Sequence, residues 1–186
     1  MKQNILLTVL LVISIKSIAQ DSKFSVELNY PVAINFVGDD YNGIVDLGAD
    51  YRFWNISPIK IGVSFNGGML VNTSNQNSVF QDFKLTSYVV QPRIFGELDL
   101  ESMEKIHPTV GLGYTIMFFN ASGTLNGVGI SDSDFTHSGF NFNFGFAYDV
   151  TEKLFIQAQY DFIKLKEEDN INTNVSILKI GLGYRL

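Results

Sequence analysis

The 186-residue chain contains no cysteine. That excludes disulfides, Cys-ligated zinc, iron–sulfur clusters and cysteine nucleophiles. Proline is scarce, at 4 residues, and charged residues make up only 17%, against about 25% in typical soluble domains. The charge present leans acidic, 19 carboxylates against 13 Lys and Arg. A nucleic-acid partner, which needs a basic face, is therefore not expected. Beyond residue 19 no apolar run is long enough for a transmembrane helix, and no i, i+3, i+4 stripe is sustained. What is abundant is glycine (16), phenylalanine (16) and tyrosine (8), in a chain that is 46% hydrophobic. That content disfavours disorder.

Residues 1–19 form a unit of their own. Lys2 precedes an apolar stretch from Ile5 to Ile15, and Ser17-Ile18-Ala19 supplies small residues where a signal peptidase reads them. The stretch is too short to span a hydrocarbon core comfortably. Residues 1–19 are expected to be a cleaved export signal, cut after Ala19 or, as second choice, after Gln20. Residues 20–186 are expected to form one domain.

That domain alternates with a period of two, the signature of strands with one apolar face. Phe24, Val26, Leu28, Tyr30, Val32, Ile34 and Phe36 share a face, opposite Ser25, Glu27, Asn29, Ala33 and Asn35. Seven more segments follow the rule: Val45–Phe53, Ile59–Met69, Tyr88–Leu98, Val110–Phe118, Phe140–Tyr148, Leu154–Phe162 and Leu178–Leu186. Each has roughly the ~9–11 residues that cross a bilayer as a tilted strand. The links between them alternate in length, with Asn72–Lys84 and Asn120–His137 the long ones. The pattern predicts an all-β, eight-stranded antiparallel up-and-down transmembrane barrel. Short turns fall on the side of the termini and longer loops on the other. Pro92 is expected to mark a bulge in the fourth strand. Asn126-Gly127 signals a hairpin turn, extending the third outer loop as a β-ribbon.

The alternate face is rich in Gly, Ser, Thr and Asn. It also carries Glu27, Asp46, Asp50, Glu97 and Asp161 against Arg52, Lys60, Arg93, Lys179 and Arg185. A solvated face would hold more Lys and Glu, so a soluble barrel is the weaker alternative. An eight-stranded lumen has room only for side chains, and buried charges must be paired there. The ten are expected to form a structural network that plugs the lumen, with Arg93 and Glu97 central. Phe53, Trp54, Tyr148, Phe155 and Tyr184 are expected to form one aromatic girdle. Phe36, Phe118, Phe119, Phe140 and Phe162 are expected to form the other.

The last strand, with Lys179, Gly181, Tyr184 and Leu186 at its marked positions, resembles the terminal signal by which Gram-negative barrels engage their assembly machinery. It departs from the commonest form in ending on Leu, where many relatives end on Phe. Together with the eight segments, it makes residues 22–186 similar to the small outer-membrane protein β-barrel family, that of the OmpA transmembrane domain and OmpX. The resemblance implies an outer-membrane location, contact with outer-membrane lipids and the assembly machinery, and a mostly plugged lumen. A monomer is expected, and an outside ligand or partner cannot be named.

No chemistry emerges. His137 and Ser138 are adjacent, so on a strand they point to opposite faces. They cannot supply the same-face pair of an outer-membrane lipid A deacylase. His107 reads as a boundary residue. Asp39-Asp40 reads as a solvated pair, and Asp132-Ser133-Asp134 as an acidic loop tip without the remaining ligands of a calcium loop. No cofactor or metal is implied. The expected function is a non-enzymatic barrel contributing to envelope structure or to surface interactions through its outer loops. The alternatives are a small-solute or ligand-binding transport barrel and, behind it, a lipid-modifying enzyme.

Overall fold

The computed structural model describes residues 23–34, 41–74, 80–125, 128–166 and 172–186. Eight strands follow in chain order: β1 (Phe24–Ala33), β2 (Tyr41–Ile56), β3 (Ile59–Ser74), β4 (Phe80–Leu98), β5 (Ile106–Leu125), β6 (Val128–Asp149), β7 (Leu154–Lys166) and β8 (Asn172–Arg185). A single 3₁₀ turn, Glu101–Met103, lies between β4 and β5. Every strand pairs antiparallel with its sequence neighbours, and β8 returns to β1 from Ser25↔Arg185 to Ala33↔Ile177. Closure leaves no sheet edge within the barrel wall, the condition for strands in lipid.

Because successive side chains alternate between faces, closure sorts them. The outer wall carries the exposed Val26, Leu28, Leu47, Ile94, Leu112, Phe140, Phe144 and Ile180, among others. On β5 this apolar outer band runs from Ile106 to Phe118. At ~3.3 Å per residue and a tilt near ~40° it rises about 30 Å, the depth of a hydrocarbon core. Above it the outer face turns polar, with Asn120 donating to Asp134 at 2.8 Å.

The strands run further than the alternation predicts. β5 and β6 stay paired as far as Leu125↔Val128, so most of Asn120–His137 is ribbon. The two turn residues Asn126 and Gly127 themselves lie outside the described residues. Asp132–Asp134 is part of β6 and not a loop tip. β3 and β4 pair up to Ser74↔Phe83, well into the predicted loop. The β2–β3 turn shrinks to Ser57-Pro58, joined by a cis peptide. Residues 1–22, with the expected export signal, lie outside the described residues, as do Phe36, Asp39 and Asp40.

Pro92 marks no bulge. The β4–β5 register is the same on both sides of it, from Val90↔Ile116 to Arg93↔Gly113. The pairs missing between them are those that would need a Pro92 N–H toward β5. The proline deletes a ladder bond without shifting the ladder. Bulges occur elsewhere, between Gly43 and Val45, Arg52 and Trp54, Gln81 and Lys84, and Ala121 and Gly123.

Candidate functional site

Among the described residues, the fold concentrates charged side chains in the lumen, and the strands stack it in layers. At the short-turn mouth, β2 and β4 bring Arg52 onto Glu97, with Nη2 and Nε donating at 2.6 and 2.9 Å. Lys60 of β3 reaches Asp99 at 2.7 Å and Glu97 at 3.9 Å. That bond from Lys60 holds the Asp99 carboxyl below the usual carboxylate range, against a smaller opposing effect of burial. Across the mouth, Asp149 takes Arg185 on one oxygen at 2.5 Å and His107 Nε2 on the other at 2.9 Å. Two phenylalanine rings close the same level. A Cβ at Gly62 would run into Phe95 and one at Gly183 into Phe155. Each glycine lies directly opposite its ring in the sheet, so the rings can lie across the wall. Arg52 sits over Phe95 at 5.6 Å and Arg185 over Phe155 at 4.8 Å.

The middle layer is a polar lattice. Lys179, 1% exposed, lies between Asp46 at 2.8 Å and Asp161 at 3.1 Å, and also donates to Gln91 at 2.7 Å. Arg93 meets Asp161 at 3.1 Å and Gln91 at 2.6 Å. Asn143 completes the Asp161 carboxylate at 2.6 Å. Asn29 and Asn66 both donate to Asp46, each at 3.1 Å. Gln157 crosses from β7 to Asn29 at 2.8 Å, and Ser25 donates to Asp50 at 3.1 Å. Lysine and arginine are thus shared among acids on several strands. Each bond helps to satisfy charges that would cost several kcal/mol apiece if left alone in this interior.

Above this lattice the lumen changes character. Leu70, Val89, Met117, Phe119, Ile163, Leu165, Val175 and Ile177 form one buried cluster. The change falls within one inward step on several strands: Gln91 to Val89, Thr115 to Met117, Asp161 to Ile163, Lys179 to Ile177. Between them the layers leave little space. The pocket lined by Glu27, Asp50, Arg93 and Gln157 holds about 30 Å³, room for a water or two.

All ten charged residues expected in the lumen face inward; nine are buried and Lys60 is half-buried at the mouth. Arg93 and Glu97 do not pair with each other. They sit on one strand at different levels and find partners on β7 and β2. Two aromatic assignments are corrected. Phe155, 1% exposed, plugs the mouth, and Phe119, 5% exposed, belongs to the apolar cluster and stacks on Phe135 at 4.8 Å. Phe53, Trp54, Tyr148 and Tyr184 do face outward at the short-turn end, and Phe118, Phe140 and Phe162 at the other. Within the terminal strand, Lys179 joins the lattice and a side chain at Gly181 would meet Asn29. Tyr184 is exposed to the outside, and the Leu186 N–H bonds to the Phe24 carbonyl at 3.0 Å.

Sequence reasoning missed Asp99, His107, Asp149 and Gln91 as network members, and missed the whole apolar cluster. His137 packs edge-on to Phe119 and Phe135, while Ser138 bonds Tyr114 on the outer side at 2.9 Å. No group of three or more metal-ligating side chains converges among the described residues.

The family model described as outer membrane protein beta-barrel domain matches residues 5–185. No curated protein matches the chain in sequence. Among solved structures, the fold is similar to Ail, the attachment invasion locus protein of Yersinia pestis, solved in complex with the heparin analogue sucrose octasulfate. The TM-score is 0.56 at 15% identity, covering 88% of this chain and 96% of that one. Neisserial surface protein A gives 0.50 at 22% identity, covering 88% and 96%. The N-terminal β-barrel domain of Pseudomonas aeruginosa OprF gives 0.50 at 14% identity, covering 86% and 96%. At these identities the likeness is one of fold.

Proposed function

The chain belongs to the outer membrane β-barrel family and resides in the outer membrane, and from that premise we propose that it is a non-enzymatic barrel with a closed lumen. It serves envelope structure or surface contacts through the strands it raises above the membrane. The observation that carries this reading is the lumen filling. Mouth rings, polar lattice and apolar cluster follow one another along the axis, with a pocket of about 30 Å³ among them. Transport through such an interior would require buried ion pairs and packed apolar side chains to part together. The β5–β6 ribbon supports the surface role, because it continues past the apolar band as far as Leu125↔Val128.

The same reading takes residues 1–19 as a cleaved export signal. It takes the barrel as a monomer delivered by the assembly machinery through Lys179, Gly181, Tyr184 and Leu186. The functional test is swelling of proteoliposomes in an isotonic small sugar. Vesicles carrying the barrel should swell no faster than protein-free ones. Rapid swelling would replace this reading with the transport barrel.

A further inference from the structure

At the long-ribbon end the outer face of the wall turns from apolar to polar within one step. Tyr88, Phe118 and Thr136 stand side by side across β4, β5 and β6. One row further from the short turns, Thr86, Asn120 and Asp134 share the same face. The rings of Tyr88 and Phe118 are half-exposed, and Thr136 and Asp134 are exposed. Thr136 is short beside the Phe118 ring. A pocket of about 460 Å³ opens there, with Tyr88, Phe118, Asn120, Asp134 and Thr136 in its lining.

The chemistry of this lining is that of an acceptor. Asn120 Nδ2 donates to Asp134 Oδ1 at 2.8 Å. That bond leaves Asp134 Oδ2, the Asn120 carbonyl oxygen and the hydroxyl oxygens of Tyr88 and Thr136 as acceptors. Every Lys and Arg beyond Lys16 lies among the described residues, and none of them forms a salt bridge with Asp134. Its bonded neighbour is a neutral amide, so the carboxylate keeps its whole charge. Asp134 is diagonal to Phe118 across the sheet, about 7–8 Å away and within reach of an aromatic side chain. A carboxylate beside open ring faces attracts a cation, because the faces carry the negative side of the ring quadrupole. The same pair repels sulfate and phosphate. A neutral sugar would leave the charge unused, whereas an ammonium presents three donors to a site made mostly of acceptors.

We propose that this pocket binds the ammonium headgroup of a membrane amphiphile, with the tail lying along the apolar band below it. The occupant is an amphiphile because the pocket opens on the lipid-facing side, at the level where the band on β5 ends at Phe118. A headgroup can enter there while its tail stays in hydrocarbon. In outer-membrane barrels the longer loops are extracellular, so the amphiphile comes from the outer leaflet. The pocket lies outside the wall, so it stands whether or not the lumen is closed.

The test holds the folded barrel in uncharged octaethylene glycol monododecyl ether micelles and adds one guest amphiphile at a time. Dodecylammonium, dodecyl sulfate and dodecyl maltoside share a tail and differ only in headgroup. Backbone amide resonances of Asn120, Asp134 and Thr136 are followed by NMR. Dodecylammonium should shift them along a saturating curve at low mole fraction, and the other two guests should not. Asp134→Asn should weaken the apparent affinity about fivefold, the upper weight of an exposed ion pair. Phe118→Leu should weaken it about two- to fivefold, the weight of an exposed cation–π contact. Glu152→Gln, an exposed carboxylate at the opposite end, should leave it unchanged. Saturation that survives Asp134→Asn in barrels with normal heat-modifiable mobility overturns the proposal, as does equal weakening by Glu152→Gln, which would mark general attraction to an acidic chain. Saturation by dodecyl maltoside at the same amides would assign the pocket to a sugar and overturn the ammonium site. Saturation by dodecyl sulfate would overturn it too. If a variant does not fold, the three guests on the wild-type barrel decide alone.

Discussion

The two halves of the lumen close the same barrel by opposite means. Toward the short turns, Lys179, Arg93 and Arg52 are shared among Asp46, Asp161 and Glu97. Toward the long ribbons, Leu70, Val89, Met117, Ile163 and Val175 simply pack. A charged filling holds its geometry through directed bonds, and it fails badly when one partner leaves. An apolar filling is held by volume and relaxes part of the way when a side chain shrinks. The polar half thus confers a fixed geometry on a lumen with room for only a water or two, and the apolar half seals it.

This difference is sharpened most by Lys179→Met. The side chain keeps its length and loses its charge, leaving Asp46 and Asp161 facing each other. The expected cost is about 3–5 kcal/mol in reversible unfolding from lipid vesicles. Ile163→Ala, in the apolar half, should cost about 2–4 kcal/mol through lost contact and residual cavity. Ile163→Val should cost clearly less. If Lys179→Met is milder than Ile163→Val, the halves do not differ in kind.

Ile180, next to Lys179 in sequence, faces lipid at 56% exposure. Ile180→Arg should cost about 2–4 kcal/mol if the site lies near the bilayer midplane, whereas a lysine is native one residue earlier. The smallest effect belongs to the rim. Asp99 has its carboxyl held low by Lys60, so the pair's stabilisation is complete above the ordinary carboxylate range. It is lost as pH falls through the lowered value. Solvent screens so exposed a group, and Asp99→Asn should change stability by less than about 0.5 kcal/mol at neutral pH. It should flatten the acid side of the stability profile slightly.

The same contrast explains what could be read from the residues alone. Where one face is polar the alternation is clean, and Glu27, Asp46, Asp50, Arg93 and Asp161 announce the inside. Where the lumen is apolar both faces are, and the period disappears. Met117-Phe118-Phe119, Phe162-Ile163 and Tyr88-Val89-Val90 present no alternation, so the pattern alone ends the strands there. In the fold Met117, Phe119, Ile163 and Val89 point inward. Partners within the network were hidden for another reason. Lys179 meets Asp46 and Asp161 only because β8 lies beside β1 and β7, and β1 beside β2, each in one particular register. Nothing local to those residues encodes that register. Gly62 and Gly183 belong to the glycine-rich alternate face, but the rings they seat are assignable only from the pairs Gly62↔Phe95 and Gly183↔Phe155. Trp54 kept its expected outward position because of a bulge that the sequence does not mark.

The central claim is that two unlike fillings in series keep the barrel shut. Single-channel recording of the purified wild-type protein in a planar bilayer tests it most directly. The account predicts no stable open level, at most brief and small current fluctuations. A steady, large conductance would show that the ion pairs around Lys179 and the packing around Ile163 part together in the membrane, and would contradict it.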